Sequence, residues 1–271
     1  MPERHHVTRP PVVHRPGPLA VSLGVVRMLG VVLLAAAGAL VVPIAALLPF
    51  RIRGVRPSVG AAVVLARVFL ALCGVRLRCP EADQIRAHRG VVFLNHLSYL
   101  DPVVVMAVTP VRFLSTAGVR RLPFIGWIAR AVGTVFVDRG DESSRASSRV
   151  TLVDTLRRQP YPPVAVAPEG QIGPGDHVLP FRHGAFEIAR DAGVPVLPIV
   201  LRFDPYTWAV WQEGEWILHA VWRLVARTTP FRAEVHPLEP FLVPPEAGVE
   251  GAARRLEATY DDALADAPLS T

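Results

Sequence analysis

The 271-residue sequence predicts an α/β fold, in which a mixed, mostly parallel sheet is flanked by helices and preceded by a membrane-associated two-helix element. Two observations carry this expectation. From residue 91 onward, short apolar runs alternate with segments of helical periodicity, the pattern of a layered strand and helix architecture. Before residue 79, two long apolar stretches follow one another with few charges between them.

Residues 1–18 combine Pro, His and Arg with little apolar periodicity and read as a flexible basic arm. Leu29 to Phe50 is a run of 22 residues without a charge, which as a helix rising 1.5 Å per residue covers roughly the hydrocarbon thickness of a bilayer. Pro43 interrupts it, and arginines flank both sides: Arg4, Arg9, Arg15 and Arg27 before, Arg51, Arg53 and Arg56 after. Positive charge at both ends leaves orientation open under the positive-inside rule. The second run, Ala61 to Val75, is broken by Arg67 and reads as an interfacial helix. The pair either spans the membrane or forms a hairpin that dips into one leaflet with both ends on the cytoplasmic side. The apolar region is too long for a cleaved signal and lacks a small-residue cleavage site, so it is expected to be retained. The organisation expected is therefore an arm (1–18), a membrane-associated helical element (19–78) and an α/β domain (79–271).

Within that domain Val91 to Leu94, Arg112 to Ser115, Thr134 to Val137, Val164 to Ala167, Val196 to Leu201 and Arg232 to His236 read as strands. Asp101 to Val108, Phe124 to Ala131, Ser143 to Arg158 and Arg182 to Ala192 read as helices, and Glu246 to Asp266 as a surface helix. Ligands of such sheets gather where strands end and helices begin.

Composition points the same way. Hydrophobic residues make up 51% of the chain, charged residues 19%, and mean hydropathy is +0.34, which implies membrane association. The net charge is +6 and every basic residue is Arg, whose planar guanidinium grips phosphate in a bidentate manner. A basic balance suits either an anionic lipid surface or nucleic acid. Hydropathy favours lipid, and without a zinc finger, basic zipper or aromatic single-strand platform no nucleic-acid partner is expected. Cys73 and Cys79 are too few for a disulfide framework and lack zinc-site partners, so no metal is expected; His5 and His6 sit in a tail expected to be disordered.

The chemistry is concentrated in Asn95-His96-Leu97-Ser98-Tyr99-Leu100-Asp101-Pro102, just after an apolar strand. A neutral imidazole takes a proton from an alcohol near neutral pH, and a carboxylate within reach fixes its tautomer and stabilises the imidazolium. Such a pair serves acyl chemistry. The same residues also fit a helix start, with Ser98 as N-cap and Asp101 three positions on.

Three further blocks follow in order: Gly133-Thr134-Val135-Phe136-Val137-Asp138-Arg139, Ala167-Pro168-Glu169-Gly170, and Val194-Pro195-Val196-Leu197-Pro198-Ile199. As an ordered set, and most strongly over residues 85–205, they resemble the glycerolipid acyltransferase family that contains the 1-acylglycerol-3-phosphate and lysophospholipid acyltransferases. The resemblance implies transfer of a fatty acyl group from acyl-coenzyme A or acyl carrier protein to the hydroxyl of a lysophospholipid, 1-acylglycerol-3-phosphate foremost. Other lysolipids, such as a lyso-ornithine lipid, a lysophosphatidylcholine type or a glycolipid, remain alternatives. It implies His96 as general base and Asp101 as its orienting partner, with no cofactor besides the thioester co-substrate. Asn95, Ser98, Arg139, Glu169, Gly170, Pro195 and Pro198 are carried over as substrate-binding positions. Arg139 would grip the acceptor phosphate and Glu169 the glycerol part, whereas Pro195 and Pro198 read better as structural edges of a core strand. The implied location is the cell membrane, with the catalytic domain on the cytoplasmic face.

Two departures bear on substrate. Gln171-Ile172 stands where relatives commonly continue with Thr-Arg, and Thr116 where many carry a Lys. A phosphomonoester is then less well neutralised, unless Arg120, Arg121 or Arg182 compensates. A hydrolase is the competing reading; it lacks a G-x-S-x-G elbow. A membrane-bound scaffold that no longer catalyses is the third. Trp208, Trp211, Trp216 and Trp222 suit either a membrane interface or helix packing.

Overall fold

The computed structural model describes residues 16–138, 140–211, 215–244 and 248–265. Two helices open it: α1 (Pro18–Ala46) and α2 (Pro57–Leu72), each with a proline in its first turn, where the missing N–H has no helical partner to lose. α1 continues through Pro43 and is longer than the uncharged run, because nothing in residues 18–28 breaks a helix. It is long and apolar enough to cross a membrane.

Then follow β1 (Val75–Arg78), α3 (Ala82–Ala87), β2 (Val91–Leu94), α4 (Asp101–Val108), β3 (Arg112–Thr116), α5 (Ile125–Ala131), β4 (Val135–Val137), α6 (Glu142–Arg158), β5 (Val164–Val166), α7 (His183–Ala192), β6 (Val196–Asp204), α8 (Ile217–Val225), β7 (Phe231–Pro237) and α9 (Val249–Ala265). The strands form one seven-stranded sheet in the order β1-β7-β6-β2-β5-β3-β4. β2 is parallel to β5 and β6, and β3 to β4 and β5. β7 runs antiparallel to β6 and parallel to β1, so the sheet is mixed and mostly parallel. All four residues of β2 are buried, as expected of a central strand covered on both faces, which reads as an unbroken apolar run.

One face of the sheet shares a core with α1, α2, α4 and α8, through residues such as Val42, Ala66, Val105 and Leu224. The other face is covered by α6, α7 and α9, through Leu152, Phe186, Leu256 and Tyr260. β1 was not foreseen as a strand. Its four residues alternate buried and open positions only briefly, and it lies within residues 19–78, so the sheet begins before residue 79. The helix expected over 246–266 is α9. It is more than a surface element, because Tyr260 donates to the carbonyls of Phe93 and Ile199 beneath β2 and β6.

The chain leaves β2 toward one face, through α4, and leaves β5 toward the other, through α7. β2 and β5 are neighbours. Two adjacent parallel strands whose exits diverge open a crevice at their C-terminal ends, the location where α/β sheets bind ligands.

Candidate active site

His96 stands in the loop after β2, and its Nδ1 lies 2.7 Å from Asp101 Oδ2. A carboxylate only accepts, so Nδ1 carries the proton in the neutral ring and Nε2 keeps its lone pair. Nε2 has no hydrogen-bond partner among the described residues, and the imidazole is 27% exposed against 0% for the Asp101 side chain. The arrangement is a base held from behind and open in front.

Asp101 is the first residue of α4, where backbone N–H groups and the helix dipole favour negative charge. Its Oδ2 also accepts from the backbone N–H groups of Leu97 and Ser98, at 2.8 and 2.9 Å. One oxygen therefore folds the whole 96–101 loop around itself. Its other oxygen, Oδ1, is buried and has no partner among the described residues. The expected N-cap role of Ser98 is corrected here, because the helix starts at Asp101 and Leu100 occupies the cap without a side-chain bond. Asp101 nevertheless makes the backward half of a capping box by accepting from Ser98 N–H.

Other positions carried over as substrate contacts are placed as supports. Asn95 is buried, and its amide is shared in both directions with the backbone of Leu201 in β6, donating to its carbonyl and accepting from its N–H. This double bond locks the start of the loop to the neighbouring strand. Ser98 is buried and donates to the Ala209 carbonyl at 2.6 Å. The Ser98 hydroxyl also accepts from Leu100 N–H, so both side chains are bonded to the protein's own backbone. Pro198 lies within β6 opposite Phe93 of β2, and the Pro195 carbonyl accepts from Val91 N–H at the far end of that strand. Both prolines are structural, because they sit inside or below the sheet rather than at its open edge.

Glu169 comes from the loop after β5 and is buried. Its Oε1 accepts from His96 N–H at 2.7 Å and its Oε2 from Leu179 N–H at 2.9 Å. His96 in turn accepts from Gly173 N–H through its carbonyl, at 2.7 Å. The Glu169 carboxylate is thus spent on orienting the backbone of the base, a role its sequence context did not reveal. Burial pushes its carboxyl up to about 7 against the opposing pull of these two N–H groups. A Cβ at position 173 would lie 2.4 Å from Glu169 Oε2, so only glycine fits there.

That shift has a sign for stability. A carboxyl whose folded value lies above the ordinary 4.5 binds more protons folded than unfolded between the two values, so stability falls as pH rises from about 4.5 to about 7. Glu169→Gln is expected to flatten that window, removing a pH-dependent penalty on the order of 3 kcal/mol. It should also lower turnover, because an amide nitrogen would face one backbone N–H donor. Melting temperatures and initial rates measured across the window test both expectations.

Gly170 has φ +73°, and its missing Cβ leaves room for Arg182, whose Nε donates to the Glu169 carbonyl at 3.4 Å. Of the three arginines weighed as compensating cations, Arg182 is the one set against this turn. Arg120 and Arg121 lie in a short 3-10 turn after β3, and Thr116 is the last residue of that strand. Arg139 lies outside the described residues. The tryptophans divide: Trp208 and Trp222 pack on the core, Trp211 meets Tyr99 edge to face, and Trp216 is exposed. Tyr99, given no role from sequence, donates to the Ala220 carbonyl and ties the loop to α8. Its only signal was its place between Ser98 and Asp101.

The loops after β2 and β5, which carry His96, Asp101 and Glu169, fall within a stretch that matches a known family. The family model described as Acyltransferase matches residues 76–202. That stretch is a little under half of the chain, and over it the chain is similar to this family. A lyso-ornithine lipid O-acyltransferase of Rhodobacter capsulatus is 30% identical over 64% of this chain and 65% of the relative. The 1-acyl-sn-glycerol-3-phosphate acyltransferase of Neisseria meningitidis is 29% identical over 53% of this chain and 55% of the relative. A lysophospholipid acyltransferase of Arabidopsis thaliana is 34% identical over 43% of this chain and 29% of the relative. The chain therefore spans less than two thirds of the length of these curated relatives. The crystal structure of the 1-acyl-sn-glycerophosphate acyltransferase of Thermotoga maritima matches at a TM-score of 0.69 and 18% identity, over 93% of this chain and 100% of that one. That likeness shows a shared fold.

Proposed function

We propose that this chain is a member of the glycerolipid acyltransferase family and transfers a fatty acyl group from an acyl thioester, carried on coenzyme A or acyl carrier protein, to the hydroxyl of a lysophospholipid. His96 Nε2 takes the hydroxyl proton as the oxygen attacks the thioester carbonyl. The carbon–sulfur bond then breaks, and the departing thiolate recovers the proton from the imidazolium. Asp101 stabilises that imidazolium throughout and stays ionised. No acyl-enzyme is needed, and Cys73 and Cys79 are raised well above the ordinary thiol range by burial, which makes them poor nucleophiles. The observation that carries the proposal is the 2.7 Å contact between His96 Nδ1 and Asp101, on an imidazole that is partly exposed and whose Nε2 has no hydrogen-bond partner among the described residues.

Two acceptor readings are supported by different facts. The Neisseria relative acts, by its name, on 1-acyl-sn-glycerol-3-phosphate, and Arg139 matches the position that grips a phosphate in such enzymes; this leads to phosphatidic acid. The lyso-ornithine lipid relative, together with Thr116 and Gln171-Ile172 in place of cations, favours a zwitterionic acceptor.

We place the chain at the membrane through a hairpin of α1 and α2. The two helices are antiparallel, with Gly30 against Leu72 and Gly38 against Leu65. α1 also packs along its length on the rest of the molecule: Gly24 meets Ala226, Arg27 donates to the Val225 and Arg227 carbonyls, and Gly38 meets Ile128. A helix held at both halves by one domain lies along the membrane surface, with that domain on one side, the cytoplasmic one.

Incubating the purified chain with labelled acyl-coenzyme A and a panel of lysolipids, and identifying products by mass, tests the proposal. Acylated lysolipid without matching release of free fatty acid is expected; free fatty acid alone would mark a hydrolase. In the same assay Arg139→Ala is expected to raise the acceptor KM and leave donor KM unchanged.

A further inference from the structure

The turn between α1 and α2 has a composition that membrane insertion does not require. Residues 16–80 hold seven arginines and no aspartate or glutamate, and residues 102–137 hold four arginines and again no acid. The tertiary structure joins these two acid-free segments, because α1 packs on α5 as well as on α2. At their junction Arg51, Arg53 and Arg56 are exposed side by side with Leu47, Phe50 and Ile52. Ile52 and Val55 pair across a tight turn that puts Arg53 at its tip, with φ +51°.

Beside this turn an open cleft of about 500 Å³ lies between α1 and α5, lined by Ala39, Pro43, Ala46, Trp127, Ala131 and Arg130. Its wall is apolar, its single charge is a guanidinium, and Trp127 is half exposed. Apolar walls with one cation at the rim suit an amphiphile with an anionic head, and indole rings favour the interfacial zone.

The location separates this surface from catalysis. Gly54 lies against Tyr161, which precedes β5, and Arg112, the first residue of β3, donates to the Pro162 and Gln159 carbonyls. The turn therefore sits by the N-terminal ends of β3 and β5, opposite to His96, which lies two residues beyond the C-terminal end of β2.

We propose that the α1–α2 turn, with the neighbouring α1–α5 cleft, is a docking surface for anionic phospholipid in a bilayer. Arg51, Arg53 and Arg56 select the headgroup and the apolar side chains enter the leaflet. This rests on the reading of the chain as membrane-bound and adds headgroup selectivity to it. Clustered arginines near a surface each favour anionic lipid, and with no acid among them nothing offsets that attraction.

The test is flotation of the full chain with vesicles of phosphatidylcholine alone and of phosphatidylcholine mixed with phosphatidylglycerol, without lysolipid. Partition onto the mixed vesicles is expected to exceed that onto neutral ones by on the order of tenfold or more, and to weaken as salt is raised. The triple variant Arg51→Gln, Arg53→Gln, Arg56→Gln should lose that preference while keeping its residual binding to neutral vesicles. Equal partition of the unmodified chain onto both vesicles would overturn the proposal whether or not the variant folds, and so would a triple variant that retains the preference. Acyl transfer by the triple variant in detergent micelles reports on the catalytic reading separately: activity equal to the unmodified chain alongside lost selectivity supports both, whereas absent activity in both proteins leaves the vesicle result standing.

Discussion

Replacing His96 with alanine is expected to lower acyl transfer by about 10²–10⁴-fold, the usual contribution of a positioned general base, while the chain stays folded. The retained fold follows from which atoms hold the loop. Glu169 Oε1 and Gly173 N–H engage the backbone of residue 96 rather than its ring, and Asp101 keeps its bonds from Leu97 and Ser98 N–H. Alanine removes only the ring, which is partly exposed. Turnover with saturating acceptor and donor, measured beside the melting temperature, checks the expectation. A variant with unchanged turnover would remove the imidazole from the chemistry and leave the scaffold reading in its place.

Asp101→Asn should cost a similar factor for a different reason. The asparagine oxygen can take the place of Oδ2 and still accept from His96 Nδ1, Leu97 N–H and Ser98 N–H, so the loop keeps its shape. What is lost is the negative charge facing the imidazolium, on a side chain that has no exposure, where charge interactions are weakly screened. The expected result is a fall in turnover of about 10²–10⁴-fold with little change in acceptor KM. Asp101→Ala, by contrast, would strand two buried N–H donors, at a cost of about 1–3 kcal/mol each. Comparing melting temperatures of the two variants separates the electrostatic role of Asp101 from its structural one. If Asp101→Asn unfolds as readily as Asp101→Ala, the oxygen does not serve the loop as described.

The contact between His96 and Asp101 was legible because the two are five residues apart and share one loop. Their approach needs only a strand to end and a helix to begin, which the apolar run at 91–94 and Pro102 signal locally. The alternating runs likewise located six of the seven strands, since each is short, apolar and bounded by turns. Glu169, Asn95 and Ser98 were different. Each lies in a recognisable motif, but their partners are Leu179 and the backbone of His96, Leu201, and Ala209. Such backbone bonds leave no trace in side-chain identity, so a polar residue in a motif reads as a substrate contact until its acceptor is seen. β1 escaped notice for a related reason: four residues at the end of an apolar stretch carry no period, and their strand character comes from pairing with β7, more than 150 residues away.

The apolar stretch at the N-terminal end shows the same division. Its length and lack of charge are local properties, and they make it long and apolar enough to cross a membrane. What it packs against is not local: Gly24, Arg27 and Gly38 meet residues 128 and 225–227. Periodicity and motif spacing carried the layered fold, the histidine with its carboxylate and the long apolar helix, because those follow from neighbours along the chain. Long-range packing alone set the support of His96, the cation beside Gly170 and the joining of the two acid-free segments, because each joins segments whose separation in sequence is many times the reach of local interactions.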